Sequence, residues 1–521
     1  MAFRLRRGAG GDAMIALTAG ALALNLLLVG GLVFLVAANG LGHFWQADLA
    51  ELRLRDGSTL LGEIVDRELD LDARGEPRER VRVAVGNRDL RGADFRWVDV
   101  AEIESETLPR DAGVLERESW GRFYGTPVAI RSSDRVRVEG AEAVWAELPG
   151  LLRAKRDERA ESVDALREEI RGLNREIERL RREGRDVAGL QAHYEDAASV
   201  LTTREAALLA DQLVMRTADG REAAIPLAHV VRALRANELG AGGKLALYAS
   251  RLWEFLAGEP RESNTEGGIF PAIFGTVLMV LLTSLAVAPF GVLTALYLRE
   301  YAQQGLVVRC VRIAVNSLAG VPSIVFGVFG LGFFVYVVGG SLDALFFSDR
   351  LPTPTFGTGG ILWASLTLAL LTVPVVVVAT EEGLAAVPRV VREGSLALGA
   401  TKFETLWRVV LPAALPGVLT GLILAMARAA GEVAPLMIVG MVKLAPSLPL
   451  DLEFPFLHLE RKFMHLGFHI YDVGFQSPNI EAVRPLVFAT ALLLILVVLS
   501  TNLTAILVRN HLRRKYAGSA I

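Results

Sequence analysis

The chain has 521 residues, 52% of them hydrophobic, a net charge of −3 and one cysteine. The near-neutral charge gives no basis for nucleic-acid binding, and a single thiol, Cys310, excludes an intramolecular disulfide and any cysteine cluster for zinc or iron–sulfur. Charge dominates from about Glu51 to Arg261 and apolar runs lie on either side, which predicts a membrane protein carrying one large soluble insert.

A bilayer core of roughly 30 Å needs about 20 apolar residues in a helix. The first run, Met14–Ala38, follows the basic "RLRR". It exceeds the apolar region of about 7–15 residues in a signal peptide, so it predicts a retained anchor. Asn25 within it reads as a helix–helix contact.

The insert opens with an alternating pattern from about Leu52 to Glu104. "LRLRDGSTLLGEIV" places Asp56-Gly57 between apolar-alternating arms, a hairpin signal, and "DFRWVDVAEI" continues in the same style. "LVMRTADGREAAIPLAHVVRAL" repeats the theme with Asp219-Gly220 as its turn. These read as strands of one small β-domain split by an insertion. The insertion is helical: Val163, Leu166, Ile170, Leu173, Ile177 and Leu180 step by three and four, as in a coiled coil. "EGRD" reads as a turn, and Val187, Leu190, Tyr194, Ala197, Leu201 and Leu208 form a second series. An antiparallel hairpin would return the chain to the β-domain. It is either a docking arm or a spacer without a direct role.

Five further spans are expected at Ile269–Leu298, Ile313–Val338, Ile361–Thr380, Ala413–Val442 and Pro485–Val508. With the N-terminus in the cytoplasm, Arg4, Arg6, Arg7, Arg299, Arg309, Arg312, Arg389, Arg392, Lys402, Arg408, Arg509, Arg513, Arg514 and Lys515 all fall inside. The short outer loops hold Arg350 in one, and Arg461, Lys462 and Arg484 in the other. This bias predicts both termini in the cytoplasm and the insert outside.

Ionisable residues inside spans need a reason. "LAMARAAGEVAPL" places Arg428 and Glu432 four apart, on one helical face at mid-span. They are either a packing ion pair or a polar lining, in which Arg428 attracts an oxyanion and Glu432 sets its availability. "NSLAGVPSIVFGVFG" adds Asn316, Ser317 and Ser323 beside Gly320, Pro322, Gly327 and Gly330, a pattern equally suited to close packing and to a kinked, path-lining helix. In "HLERKFMHLGFHIYD", His465 and His469 have a spacing that could hold a metal. No partner carboxylate completes the set with His458, so no metal site is assigned. The aromatic neighbours favour an amphipathic helix on the outer face, touching a partner.

"EGSLALGATKFETLWRVVLP", Glu393–Pro412, separates two spans on the predicted cytoplasmic side. Glu393, Gly399 and Leu411-Pro412 have the spacing of the EAA loop of ABC importer permeases, which this stretch resembles. Gly394-Ser395 stands in place of its Ala-Ala, and Val409 where isoleucine is common. The resemblance implies a helix, a glycine break and a second helix re-entering the membrane at Leu411-Pro412. Glu393, Gly394, Ser395, Gly399, Ala400, Thr401, Leu411 and Pro412 would then form a lever seated in a cytoplasmic ATPase.

With "LAGVPSIVFGVFG" before it and "ARAAGEVAPL" after it, the region from about Gly268 to Val508 resembles the PstA family, permease subunits of phosphate-specific ABC importers. The fold implied is an α-helical polytopic membrane protein of about six spans, a type I ABC importer permease, with a periplasmic α+β insert containing a coiled-coil hairpin. The expected divisions are 1–40, a cytoplasmic tail and first span; 41–268, the insert, with the coiled coil at about 151–212; and 269–521, the permease core. The implied setting is a bacterial inner membrane, with lipid around the spans. The implied partners are a sister permease PstC, two copies of the ATPase PstB and the phosphate-binding protein PstS. Arg428, Glu432, Asn316 and Ser323 would line the substrate path. Val433 replaces the family's usual threonine, which removes a hydroxyl from that path. No G-x-x-x-x-G-K-[ST] loop occurs, so ATP and Mg would be held by the partner ATPase and not by this chain. Another oxyanion such as sulfate or molybdate is the alternative cargo. An envelope scaffold or sensor acting through the insert is the alternative class.

Overall fold

The computed structural model describes residues 6–71, 77–133, 135–477 and 480–517, so Arg4 of the basic start lies outside the described residues. The chain divides into two compact units: Met1–His43 with Ile269–Ile521, and Phe44–Gly268.

In the first unit, six helices among the described residues are long and apolar enough to cross a membrane: Met14–Gly42, Phe270–Tyr301, Ser323–Phe346, Ile361–Ala386, Lys402–Gly431 and Ile480–His511. Ile361–Ala386 is the most buried and lies at the centre, packed on both Phe270–Leu296 and Leu411–Gly431. Small residues set these approaches. A Cβ on Gly417 would lie 2.6 Å from the Cα of Gly383, and one on Gly291 2.6 Å from Val376. With no apolar drive between helices in lipid, such close contact supplies the packing energy. The first span meets Ile480–Ala517 where Gly40 abuts the backbone of Ala489. Asn25 is exposed on that span, so the expected helix–helix contact is not made among the described residues.

Two span boundaries differ from expectation. The third span does not begin at Ile313. A separate helix, Leu306–Leu318, ends there, and the span starts at Ser323 after Pro322. Proline lacks a backbone donor and disfavours helical geometry in the residue before it. The fifth span does not run to Val442. Its helix stops at Gly431, Glu432 is extended (φ −82°, ψ 134°), and Pro435 opens a new short helix, Ala434–Val439. Hydropathy stays high across both breaks, which is why composition alone joins them.

The second unit is built on two antiparallel sheets. The first comprises β1 (Leu49–Leu54), β2 (Thr59–Leu71), β3 (Pro77–Ala84), β4 (Phe95–Asp99) and β5 (Ile103–Thr107), in the order β4-β3-β2-β1-β5. Asp56-Gly57 turns β1 into β2, with Leu52 opposite Leu60. The second comprises β6 (Gly113–Arg117), β7 (Arg122–Ser132), β8 (Arg135–Glu139), β9 (Asp211–Arg216), β10 (Glu222–Pro226) and β11 (Val230–Leu234). Its order is β10-β9-β7-β6-β11, with β8 also on β7.

The expected single split domain is therefore two sheets. The first is complete before the helical insertion, and only the second is divided by it, through the pairing of β7 with β9. The strands β6 and β7 carry little alternation: β6 is buried throughout, and β7 contains Pro127. A strand covered on both faces loses the period-two signal.

The insertion runs through Ala141–Glu158 into Ala165–Arg182, turns at Gly184 (φ +67°), and returns as Ala188–Leu208. Ile177, Leu180, Ala197 and Leu208 are buried, and Arg167 on the outgoing helix reaches Glu205 on the returning one at 2.7 Å. The pair is an antiparallel helical hairpin.

A chain of buried charges ties the second unit together. Glu116 accepts hydrogen bonds from Arg251 (2.8 Å from Nε) and from Arg232 (2.7 Å). Arg251 also donates to Gln46, which donates to Glu63, and Glu63 accepts from Arg122 and the Tyr124 hydroxyl. Burial opposes ionisation of Glu116, yet Arg251 and Arg232 hold its carboxyl below the ordinary carboxylate range. Glu116→Gln would strand two partly buried guanidinium groups. It is expected to destabilise the unit by about 3 kcal/mol, measured by urea unfolding of the full chain followed through tryptophan emission, since five of the seven tryptophans (45, 97, 120, 145 and 253) lie in this unit.

Candidate functional site

The loop singled out in the sequence is a helix, a glycine break and a second helix. Pro388 opens Arg389–Ala397. Gly399 then takes φ +87°, a conformation that favours glycine, and its N–H donates to the Leu396 carbonyl at 3.0 Å. Thr401 restarts the chain with a reciprocal cap: its hydroxyl accepts from the Glu404 N–H, and the Glu404 carboxylate accepts from the Thr401 N–H. From Lys402 the helix continues to Gly431. The second helix therefore runs unbroken through Leu411-Pro412, the expected re-entry. Those residues lie inside a continuous helix, just after a wide turn at Leu406–Val410.

The two arms of the loop are held together and to the bundle. Ser395 and Thr405 share a hydroxyl–hydroxyl hydrogen bond of 2.9 Å. Arg392 pairs with Glu300 at 2.8 Å, and Lys402 donates to the Glu300 carbonyl while lying over the Tyr301 ring. Glu300, at the end of the second span, thus anchors both arms. Glu393 faces outward, as do Leu398 (91% exposed) and Phe403 (64%). Gly394 and Ala400 flank the break without steric demand.

At the other end of the same helix, Arg428 contacts Glu432 through Nε at 3.6 Å. They meet at the helix end and not at mid-span. Arg428 occupies the last turn, where carbonyl dipoles favour a cation, and Glu432 is the first residue beyond it. At 3.6 Å this is an ion pair without a hydrogen bond, and the guanidinium donates no hydrogen bond among the described residues. A guanidinium in that condition is a ready donor to an oxyanion.

Ser323 opens the helix Ser323–Phe329, which packs through Gly327 on Pro435, three residues past Glu432. Asn316 lies elsewhere. It lines a cavity of about 260 Å³ with Arg299, Arg312, Glu381 and Glu382, where Arg312 pairs with Glu381 at 3.2 Å. The four residues expected on one path are thus divided between two places.

Sequence reading missed Glu300, the Arg312–Glu381 pair and Lys443–Asp472 (3.1 Å, the aspartate almost fully buried). All are charges at or beyond span ends, where an inspection confined to span interiors does not look.

The outer histidines are not on an exposed amphipathic helix. His458 is buried between Asp451 (3.0 Å) and Glu460 (3.3 Å), and Arg461 joins the same aspartate. His465 and His469 are 1% and 2% exposed. His465 caps the helix Leu466–Tyr471 by accepting the Gly467 N–H at Nδ1. Phe463 and Leu466 are buried with them, so this segment is core and not a partner-facing surface.

Residues 287–517 match the family described as "binding-protein-dependent transport system inner membrane component". The phosphate transport system permease protein PstA 1 of Mycobacterium tuberculosis (strain CDC 1551 / Oshkosh) is 34% identical over 243 residues, 47% of this chain and 71% of that protein. This chain belongs to the PstA-type permease family. Its fold is the type I ABC importer permease, a multi-pass membrane architecture. The PstA of Yersinia pestis is similarly close, 32% identical over 47% of this chain and 74% of its own length. A PstC permease, from Xylella fastidiosa, is 33% identical over 40% of this chain and 67% of that protein. The family match begins at residue 287 and leaves the second unit outside it.

His465 gives this region a pH dependence. Burial pushes its imidazole down from 6.5 to about 4. Between those values only the unfolded chain takes up the proton, so stability falls as pH drops through that window and levels off below it. The chain in detergent micelles is expected to melt at a lower temperature at about pH 5 than at pH 7, and His465→Gln is expected to shrink that difference.

Proposed function

We propose that this chain is the membrane-spanning permease subunit of an ATP-driven importer of inorganic phosphate. It forms the translocation path with a sister permease, PstC, and is driven by a cytoplasmic PstB ATPase dimer. The periplasmic protein PstS delivers phosphate to it. The chain hydrolyses nothing itself, and ATP and Mg belong to the ATPase. In this reading it sits in a bacterial inner membrane with both termini cytoplasmic and the insert periplasmic.

One observation carries the proposal. A guanidinium with only one carboxylate contact stands at the far end of the helix whose near end is the capped, glycine-broken loop. The exposed Leu398 and Phe403 are apolar surface for the ATPase to cover, with Glu393, Gly394, Ser395, Gly399, Ala400 and Thr401 forming the seat and Leu411 and Pro412 carrying displacement into the span. Closure of the ATPase dimer presses the loop, the helix transmits the movement, and Arg428 is displaced relative to its neighbours. Phosphate is held while Arg428 faces it and released when Glu432 competes for the same guanidinium. Ser323 adds a hydroxyl on the adjoining helix, and Asn316 belongs to a second station beside Arg312 and Glu381.

Arg428→Gln leaves a shorter but still polar side chain and removes its charge. Reconstituted with its partners, this variant is expected to assemble normally and to lose ATP-driven phosphate uptake by about a hundredfold or more, in line with the loss of a charge-assisted contact. Unchanged uptake would remove Arg428 from the path, and uptake competed away by sulfate or molybdate but not by phosphate would change the cargo.

The loop is tested separately through its geometry. Gly399→Val forces a β-branched residue into the left-handed region, at a cost of roughly 1–2 kcal/mol, whereas asparagine tolerates it. Uptake per ATP hydrolysed is expected to fall sharply in Gly399→Val and to persist in Gly399→Asn. Equal behaviour of the two variants would count against the coupling role.

A further inference from the structure

The soluble unit contains a half-open cavity of about 710 Å³ between the helix Ala141–Glu158, its continuation to Asp164, and the strand β11. Its volume falls within the range of small-ligand sites. Its charge is one-sided. Arg153, Lys155, Arg156, Arg159, Arg232 and Arg261 line it, against three carboxylates, Glu118, Asp164 and Glu254.

The pairing within it is uneven. Glu118 is taken by Arg159, Glu254 bridges Arg232 (3.0 Å) and Arg261 (2.6 Å), and Asp164 contacts Arg167 (3.4 Å). Lys155 is satisfied by Asp211 (2.8 Å) and Glu158 (2.7 Å). Every lining carboxylate is therefore engaged, and two arginines are left over. Arg153 and Arg156 have no carboxylate partner among the described residues, and the one hydrogen bond of Arg156 is to the Val231 carbonyl at 3.2 Å. Arg153, Arg156 and Arg159 are spaced by three, so they rise along one face of the helix. The neighbouring arginines are fixed by their ion pairs, which holds the wall of the cavity in place.

We propose that this cavity binds a multivalent phosphate anion, with Arg153 and Arg156 as its direct ligands. The guanidinium fork matches phosphate oxygens and keeps its charge at any physiological pH. The volume has room for more than one phosphoryl group, and two uncompensated cations favour a ligand bearing at least two negative charges. Residues 153–156 lie outside the family match, and the proposal does not depend on the permease reading.

The test is isothermal titration of the full chain in detergent micelles with inorganic tripolyphosphate, at low and at raised salt. Saturable binding that weakens with salt and falls about tenfold or more in the Arg153→Ala/Arg156→Ala double variant supports the site. Both residues are exposed, so the variant is expected to retain the wild-type melting temperature. No saturable binding of tripolyphosphate, binding indifferent to the double substitution, or binding equalled by an oligoglutamate peptide overturns the proposal.

Discussion

A helix is stiff because each turn is bonded to the next, and the first unit rests on one helix that keeps this continuity for thirty residues, Lys402 to Gly431. It spans roughly 40 Å between Lys402 and Arg428 at 1.5 Å per residue. Pro412 and Pro416 each remove a backbone donor from it, and the wide turn at Leu406–Val410 lies just before the first of them. The helix absorbs these defects because Ile361–Ala386 packs tightly against it at Gly383, Gly417 and Gly421. Its ends are equally definite. Thr401 and Glu404 close the first turn reciprocally, and Glu432 and Pro435 end the last. A displacement imposed at one end has little slack in which to be lost.

The two units handle charge differently. In the second unit, arginines and glutamates are gathered into a connected, largely buried network, in which Glu116, Arg251, Arg232 and Glu63 each meet at least two partners. In the membrane unit, charges are kept sparse and placed at span ends: Glu300, Arg312, Glu381, Arg428 and Glu432. Burying an ion pair gains little net stability unless its geometry is complete. A network suits a domain that must hold one shape, whereas isolated pairs with single contacts can exchange partners at small cost.

Much of this was legible from residue order. The apolar runs located six spans because lipid demands length and hydropathy from each one. The loop at Glu393–Pro412 was legible through the spacing of Glu393, Gly399 and Leu411-Pro412, whereas the reciprocal cap of Thr401 and Glu404 emerged only in the structure. The two span boundaries that moved show the limit. Val321-Pro322 and Glu432–Pro435 break helices inside runs that remain apolar, so a hydropathy average passes over a change that backbone chemistry imposes. The outer histidines show another limit. Their spacing and aromatic neighbours suit a surface helix equally well, and only the packing of Phe463 and Leu466 places them in the core. The strands at Gly113–Ser132 were hidden because burial on both faces erases alternation. Arg428 was conspicuous as a charge in an apolar run, but its position in a helix's last turn depended on where the helix stops.

The helical hairpin of the soluble unit leaves and rejoins one sheet at adjacent points. Ser132 at the end of β7 stands opposite Asp211 at the start of β9, and the Ser133 N–H donates to the Ala210 carbonyl. The excursion between them is therefore closed at its base by strand pairing and makes no demand on the sheet for its own length. Closing a longer excursion adds only a slowly growing entropic cost. The length of the hairpin is thus a parameter that can change, through matched insertions in both helices, while the sheet and its buried charges stay as they are.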